Sequence, residues 1–468
     1  MFLRRFCTIF ALFLSAISAH ATVGDRFGFT SEDAALAGAS AGRSEISSAS
    51  AFNNPAQLSL LSDSSPLDSS SIRFHWSVLY SAPKFAEIGN VVVENPVNSD
   101  LNDGDTPRSA SVNADYPVTF GQSLGFAIRS KKSEHHWGLG AVAYLPLDRL
   151  ALLDSGEPLA PEYTLHRGRT QKPEFQLGFS GLITPKLSLG LGLYLGARLT
   201  SDTTVFLNQG TGTVSTMRVA ASLKTQATPS LGFTYVPSDA LSLGLVLRLA
   251  SSAPETLNVQ AGARAIGNVS ALDFSFPAMA TMYYDPLTLT AGTRWRYTER
   301  SALAFQLDYQ AWSKFESPSI VILDPNTQTC SPSCGVDFST GRGFGRTTRD
   351  TFIPRVGHLW TFGPSTLRAG YAYRPSIYRD DATGAGNAID PDEHRFSMGY
   401  GWEIAEIPIF DAPGRVDIHA AYSVYPKRRV TKSVGDENGN LLNSKIGSPG
   451  YETGGSEWGT GFTLGFFL

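Results

Sequence analysis

The sequence predicts an all-β fold: a transmembrane antiparallel β-barrel of about 14 strands, its lumen plugged by a small N-terminal hatch. Three observations carry that expectation. Most of the chain alternates apolar with polar or small residues at period two, the alternating stretches reach nine residues or more, and tight breaks between them take turns with long polar ones. Strict alternation gives a strand one apolar face. Strands of a soluble sandwich average about 5–6 residues, so the length points to a membrane wall.

Composition narrows the class further. Of 468 residues, 42% are hydrophobic and 17% charged, with 45 glycines and 11% aromatics. A typical soluble domain carries about 25% charged residues. A mean hydropathy of −0.09 is too polar for a bundle of membrane helices. The net charge of −4 argues against binding nucleic acid through phosphate contacts. The apolar and aromatic content is ample for a core, which excludes disorder.

Residues 1–21 read as a signal peptide: Arg4 and Arg5, an apolar run from Phe6 to Ile17, then Ala19-His20-Ala21. The run is too short for a spanning helix of about 20 apolar residues, so cleavage after Ala21 and export are expected. Cys7 leaves with this segment. The remaining Cys330 and Cys334 lie in DPNTQTCSPSCGVD, where two thiolates alone make an incomplete metal site and the CxxC spacing is absent. A small loop disulfide is expected, with no metal and no cofactor.

Residues 22–68 differ from the rest. They are rich in Ala, Ser and Gly, carry few charges, and hold apolar anchors at Phe27, Phe29, Leu36, Phe52, Leu58 and Leu60. Ala34, Ala35 and Ala37-Gly38 suggest a short helix, and the segment fits a buried hatch better than a free tail. At Asn53-Asn54-Pro55, proline fixes φ and biases Asn54 away from helix, so the chain turns there. Phe52, Asn53, Asn54 and Pro55 are the expected hatch residues; the segment is expected to shift when an apolar ligand competes for its site, with Phe27, Phe29 and Phe52 as the substrate's apolar contacts on the plug side.

Residues 69–468 form the expected barrel. Fourteen strands start near 69, 108, 137, 166, 187, 214, 241, 268, 301, 350, 366, 393, 415 and 453. Tight breaks at 184–186, 236–240, 297–301 and 362–365 face long ones near 83–107, 148–165, 324–349, 378–391 and 433–452. That asymmetry marks an outer-membrane barrel with short periplasmic turns. Parity assigns the faces. Leu303, Phe305, Leu307 and Tyr309 share one face, as do Phe396, Met398, Tyr400 and Trp402, and Val416, Ile418, Ala420, Tyr422 and Val424. The opposite parity puts Arg294, Arg296, Asp308, Arg368, Arg395, Glu403, Arg415 and Asp417 on the inner wall as a mixed-sign polar ladder. Structural pairing is the plain expectation for each; an arginine left unpaired, Arg368 or Arg395, could instead meet a substrate carboxylate. The final strand places Trp458, Phe462, Leu464, Phe466 and Leu468 on alternate positions, similar to the recognition signal of outer-membrane proteins, although these usually end in Phe.

Three segments resemble the FadL/TodX family of outer-membrane transport proteins. They are Ala37-Gly38, Gly42, Ala49-Ser50 with Asn53-Asn54-Pro55-Ala56; Leu307-Asp308-Tyr309-Gln310-Ala311-Trp312-Ser313-Lys314-Phe315; and Arg368-Ala369-Gly370-Tyr371-Ala372-Tyr373 followed by Ile389-Asp390-Pro391-Asp392-Glu393-His394-Arg395-Phe396. They are ordered as in the family and span nearly the whole mature chain. The resemblance implies a fourteen-stranded barrel with an N-terminal hatch in a Gram-negative outer membrane. It implies passive uptake of hydrophobic compounds, first of all long-chain fatty acids and otherwise hydrocarbons, with sideways exit through the wall. Expected partners are the cargo, outer-membrane lipids, lipopolysaccharide and the barrel assembly machinery, around a monomer.

Enzyme motifs are absent in their working context: no GxSxG elbow joining a strand to a helix, no HExxH, no P-loop and no GxGxxG before a helix occurs. Gly341–Gly345 is Gly-rich but sits in a polar loop, and His135-His136 reads as a turn in SKKSEHH. A barrel lipase lacks a serine partner for His419. A general porin would need a wider, open lumen. A surface scaffold, secretion-shuttle or adhesin-like barrel without transport stays open, since fold does not fix function.

Overall fold

The computed structural model describes residues 23–60, 72–86, 88–94, 108–112, 116–130, 136–149, 161–166, 172–208, 213–263, 272–315, 321–322, 329–331, 347–379, 387–407, 411–431, 445–448 and 450–468. Fourteen strands close into an antiparallel barrel. In chain order they are β1 (Ile72–Phe85), β2 (Thr119–Arg129), β3 (Trp137–Pro146), β4 (Glu174–Thr184), β5 (Leu187–Asn208), β6 (Thr213–Ser238), β7 (Leu241–Arg248), β8 (Thr288–Thr298), β9 (Ser301–Gln310), β10 (Thr351–Phe362), β11 (Ser365–Arg374), β12 (Glu393–Ile407), β13 (Ala412–Thr431) and β14 (Gly450–Phe467). Each pairs with its sequence neighbours, and β1 closes the ring on β14 from Arg73 opposite Phe467 to Phe85 opposite Gly455. Closure removes the free edges that an open sheet would present in lipid.

Every even-to-odd connection is short and lies on one rim, as at residues 185–186, 239–240 and 363–364; the long connections share the other rim. Three expected strand starts move. The second wall strand begins at Thr119 rather than near 108, the fourth at Glu174 rather than near 166, and the eighth at Thr288 rather than near 268. In two of these places the chain builds strands outside the wall. Residues 88–94 pair with 108–112, and 251–263 pair with 272–285. Such hairpins alternate at the same period as wall strands, so periodicity cannot separate the two. The 251–263 strand also runs parallel to the far end of β5 through Thr256 opposite Asp202.

The outward face carries an apolar band. Leu191, Leu245, Leu307 and Ile418 are exposed between the two rims. Tyr235, Trp295, Tyr297, Trp360 and Trp402 ring the short-turn side, and Phe175, Phe352, Phe396, Tyr422 and Trp458 the long-loop side. An apolar belt between two aromatic girdles is the pattern of a lipid-facing barrel. Among the described residues no helix is long and apolar enough to cross a membrane.

The core sits in the lumen and belongs to the N-terminal segment. Residues 23–60 form three short helices, α1 (Val23–Phe27), α2 (Ser31–Ala35) and α3 (Ser50–Asn53), followed by a 3-10 turn, Pro55–Ser59. Thr30 caps α2 by accepting from the Asp33 N–H, and Asn54 caps the 3-10 turn by accepting from Ala56 N. Proline at the first position of that turn costs no hydrogen bond. Nearly every residue of the segment is buried. It makes contact with strands all around the ring: Ser31 with Thr463 of β14, Asn54 with Thr234 of β6, Ser59 with Ser188 of β5.

Candidate functional site: a plugged lumen

The plug is held by its own hub and by the wall. Asp33, buried in its centre, accepts from Thr30 Oγ1 at 2.7 Å, Ser40 Oγ at 2.7 Å, Arg43 Nη2 at 3.0 Å and Asn53 Nδ2 at 3.0 Å. One carboxylate thus ties α2, the turn after it and α3 together. Asn53 faces this hub. Asn54 faces the wall, donating to Thr234 Oγ1 at 3.0 Å and to the Ala41 carbonyl at 3.1 Å.

Arginines on the inner wall grip the plug backbone. Arg355 pairs with Asp308 at 2.7 Å while donating to the Ala37 carbonyl at 2.7 Å and the Asp25 carbonyl at 3.0 Å. Arg248 pairs with Asp25 at 3.2 Å, donates to the Phe52 carbonyl at 2.9 Å and lies 4.3 Å over the Phe52 ring. Arg73 donates to the Ile46 carbonyl at 2.8 Å. Sequence reading singled out none of these three. Arg355 was readable by parity, since Ile353 and Arg355 alternate with the exposed Phe352 in β10.

A second set of charged residues lines the inner wall. Arg368 pairs with Asp417 at 2.9 Å and with Glu32 of the plug at 3.3 Å; Arg415 reaches the same Asp417 at 3.1 Å; Arg294 pairs with Glu45 of the plug. Arg296 and Glu403 line the short-turn end of the lumen beside them. Arg395 is different. It donates to the Arg26 carbonyl and lies 4.7 Å over the Phe27 ring, and among the described residues no carboxylate lies within 4 Å of it. Cys334 lies outside the described residues, as does the Cys330 side chain, whose backbone pairs with Phe274. Residues 1–22 and Gly341–Gly345 lie outside them too.

Small residues on the wall bring plug and barrel into backbone contact. A Cβ on Gly244 would strike the Ala41 carbonyl, one on Gly190 the Pro55–Ala56 peptide, and one on Gly138 the Leu58 carbonyl. These glycines point inward, so the high glycine content of the wall makes a socket.

Three chemical zones stack along the lumen. At the long-loop end, aromatic residues cluster around Phe85, which stacks on Tyr163 at 4.0 Å, and around Trp312 with Tyr284 and Phe315. Arg26 of the plug reaches into the first cluster and donates to Tyr425 Oη at 2.7 Å and to Glu457. At mid-height Phe27, Phe29 and Phe52 pack with Leu79, Val142 and Tyr144 of the wall. Below the plug, a cavity of about 290 Å³ is lined by seven arginines and five carboxylates, Arg43, Arg294, Arg415, Glu32 and Asp417 among them. Among the described residues no cluster of metal-ligating side chains exists.

This arrangement defines the class: a closed fourteen-stranded outer-membrane-type barrel whose lumen is filled by its own N-terminal segment. Its fold is that of the FadL/TodX channels. A Pseudomonas aeruginosa FadL homologue superposes with a TM-score of 0.56 at 13% identity, over 96% of this chain and 99% of that one. The P. putida toluene transporter TodX gives 0.51 at 15% identity over 95% and 99%, and the monoaromatic hydrocarbon channel CymD 0.50 at 13% over 95% and 98%. No protein-family model matches the chain, and no curated protein does.

Proposed function

We propose that the chain is a passive outer-membrane channel for hydrophobic compounds, with long-chain fatty acids as its first cargo class. Cargo enters at the aromatic long-loop end and reaches the phenylalanine cluster in the plug. It then leaves sideways into the membrane. The observation that carries this reading is the polarity step along the lumen. An apolar solute meets Phe27, Phe29 and Phe52 at mid-height and then a cavity lined by seven arginines and five carboxylates. Each CH₂ moved from an apolar site into such a wet, charged space costs about 0.8 kcal/mol, so the lower mouth is a barrier to hydrocarbon. The ladders from β1 to β4 run without a bulge, so sideways exit requires the wall to part.

The fatty-acid assignment is supported by Arg395. Unlike Arg368, it has no carboxylate within ion-pair distance among the described residues, and it borders Phe27. A cargo carboxylate there would gain a charge-assisted hydrogen bond without breaking an existing ion pair.

The test is uptake of labelled oleate and labelled toluene by cells lacking their own hydrophobic-compound channel, with and without this protein. Uptake that depends on the protein supports the channel, and loss of oleate but not toluene uptake in Arg395→Glu supports the assigned head-group. No dependence for either compound favours a scaffold or adhesin-like barrel without transport.

A further inference from the structure

A small cavity of about 10 Å³ lies between plug and wall at the level of Leu79. It touches the apolar Phe27, Phe29 and Leu79, and its lining holds no lysine, arginine or carboxylate. Three of its lining side chains carry buried polar atoms with no hydrogen-bond partner: Ser31 Oγ, Tyr144 Oη and His419 Nδ1. The three residues are 2%, 1% and 7% exposed. A buried polar atom left unpaired costs about 1–3 kcal/mol, so three bordering one cavity strongly favour an occupant that can satisfy them.

The strand register explains why they meet. Leu79 of β1 lies opposite Gly121 of β2 on one side and Gly461 of β14 on the other. Both flanking positions lack a side chain, and the gaps are covered from neighbouring strands. A Cβ on Gly121 would strike Tyr144 Oη, and one on Gly461 would strike the His419 ring. Tyr144 and His419 therefore enter one rung from opposite sides, with Ser31 of the plug above.

We infer that this rung is a binding site for the polar atom of a neutral, oxygen-bearing aromatic cargo, a phenol or benzylic alcohol, whose ring takes the place of Phe27. The inference rests on the uptake reading but not on its fatty-acid arm. Tyr and Ser hydroxyls donate, and His419 Nδ1 donates or accepts according to tautomer, so a hydroxyl oxygen can satisfy them. A carboxylate would find no counter-ion in this lining, and a plain hydrocarbon would leave all three unpaired. Room for a ring comes from Phe27, which ends the five-residue helix α1 and precedes Gly28, a residue at φ +75.

The experiment compares p-cresol with toluene. Ligand-observed saturation-transfer NMR on the full-length barrel in detergent gives both affinities for the wild type, Tyr144→Phe and His419→Leu. The unheated gel band shows that each variant is folded. A site built around a hydroxyl rejects the analogue lacking it. The expectation is p-cresol at least about tenfold tighter than toluene in the wild type, with that preference lost in Tyr144→Phe and toluene affinity unchanged. Weakened p-cresol binding in folded His419→Leu supports the same site. Equal affinities in the wild type, no binding of either ligand, or p-cresol binding indifferent to both variants would overturn the assignment and leave the cavity to water. Uptake of oleate or toluene by cells is read separately, so loss of this site does not count against the channel.

Discussion

Replacing Asp33 by alanine removes the hub on which the plug is folded. Four donors lose their acceptor at once: Thr30, Ser40, Arg43 and Asn53. Removing one partner of a buried ion pair costs about 3–5 kcal/mol. Arg43 keeps a second carboxylate, Glu32, at 3.1 Å, which places the cost near the lower end, ~3 kcal/mol. At about 1.4 kcal/mol per decade, the population of opened plug should rise by roughly two orders of magnitude. The barrel ladders do not pass through Asp33, so the cost falls on local opening and not on the wall. Amide hydrogen exchange in detergent, read by mass spectrometry, checks it. Peptides covering Ala34 and Gly38, whose N–H groups bond inside the plug, should exchange roughly 100-fold faster, in step with that population. Peptides from β9 and β12 should not change, and the unheated protein should still run as a compact barrel. Asp33→Asn keeps one acceptor oxygen and should fall between. Unchanged exchange in residues 23–60, or loss of the wall together with the plug, would refute the hub.

The other predictions concern the socket, acid, the cysteines and the seal. Gly244→Ala should loosen the plug by about 1–3 kcal/mol in the same exchange experiment, because its new methyl meets the Ala41 carbonyl. Gly181→Ala, with only the His136 carbonyl at 4.0 Å, should stay within about 0.5 kcal/mol of wild type. Burial pushes the Glu32 carboxyl upward, but Arg43, Arg415 and Arg294 outweigh it and hold it at about 2. A carboxyl depressed on folding stabilises above its unfolded value of about 4.3 and loses that stabilisation as pH falls toward 2. Plug protection, corrected for intrinsic exchange, should therefore hold from pH 7 to 5 and collapse between about pH 4 and 2; a collapse above pH 5 would contradict the pairing. Cys330 and Cys334 should resist thiol labelling in the unreduced, denatured protein, and replacing both by serine should leave folding nearly intact, since the loop they close is small. Deleting residues 23–60 should convert a closed barrel into one with steady ion conductance in planar bilayers; equal conductance with and without the segment would mean that it does not seal the lumen.

What the sequence made legible follows from period two. The faces of β9, β12 and β13 came out correctly because lipid and lumen impose opposite polarity on neighbouring residues. The strand number also came out, although the segments beginning near 108 and 268 were assigned to the wall. Alternation reports a two-faced sheet and not the solvent on either face, and the 251–285 hairpin is two-faced outside the wall. Arg368, Asp417 and Asp308 were placed on the inner surface by parity alone. Their partners were not legible, because Glu32 lies 336 residues before Arg368 and no local pattern joins them. The same distance hid the glycine socket. In sequence Gly244 and Gly190 are the small half of an alternation; only the fold shows the plug backbone resting on them. Arg73, Arg248 and Arg355 were within reach of parity.

The socket has a consequence for how such a protein can change over time. Where a wall position is glycine because a carbonyl of the plug rests on it, neither side can vary alone. A bulkier wall residue needs a shorter plug there, and a shifted plug turn needs a new gap in the wall. A plug whose turns were spaced differently would not seat in this wall, even within the same architecture. Lock and key are here one continuous chain, and they can be recut only together.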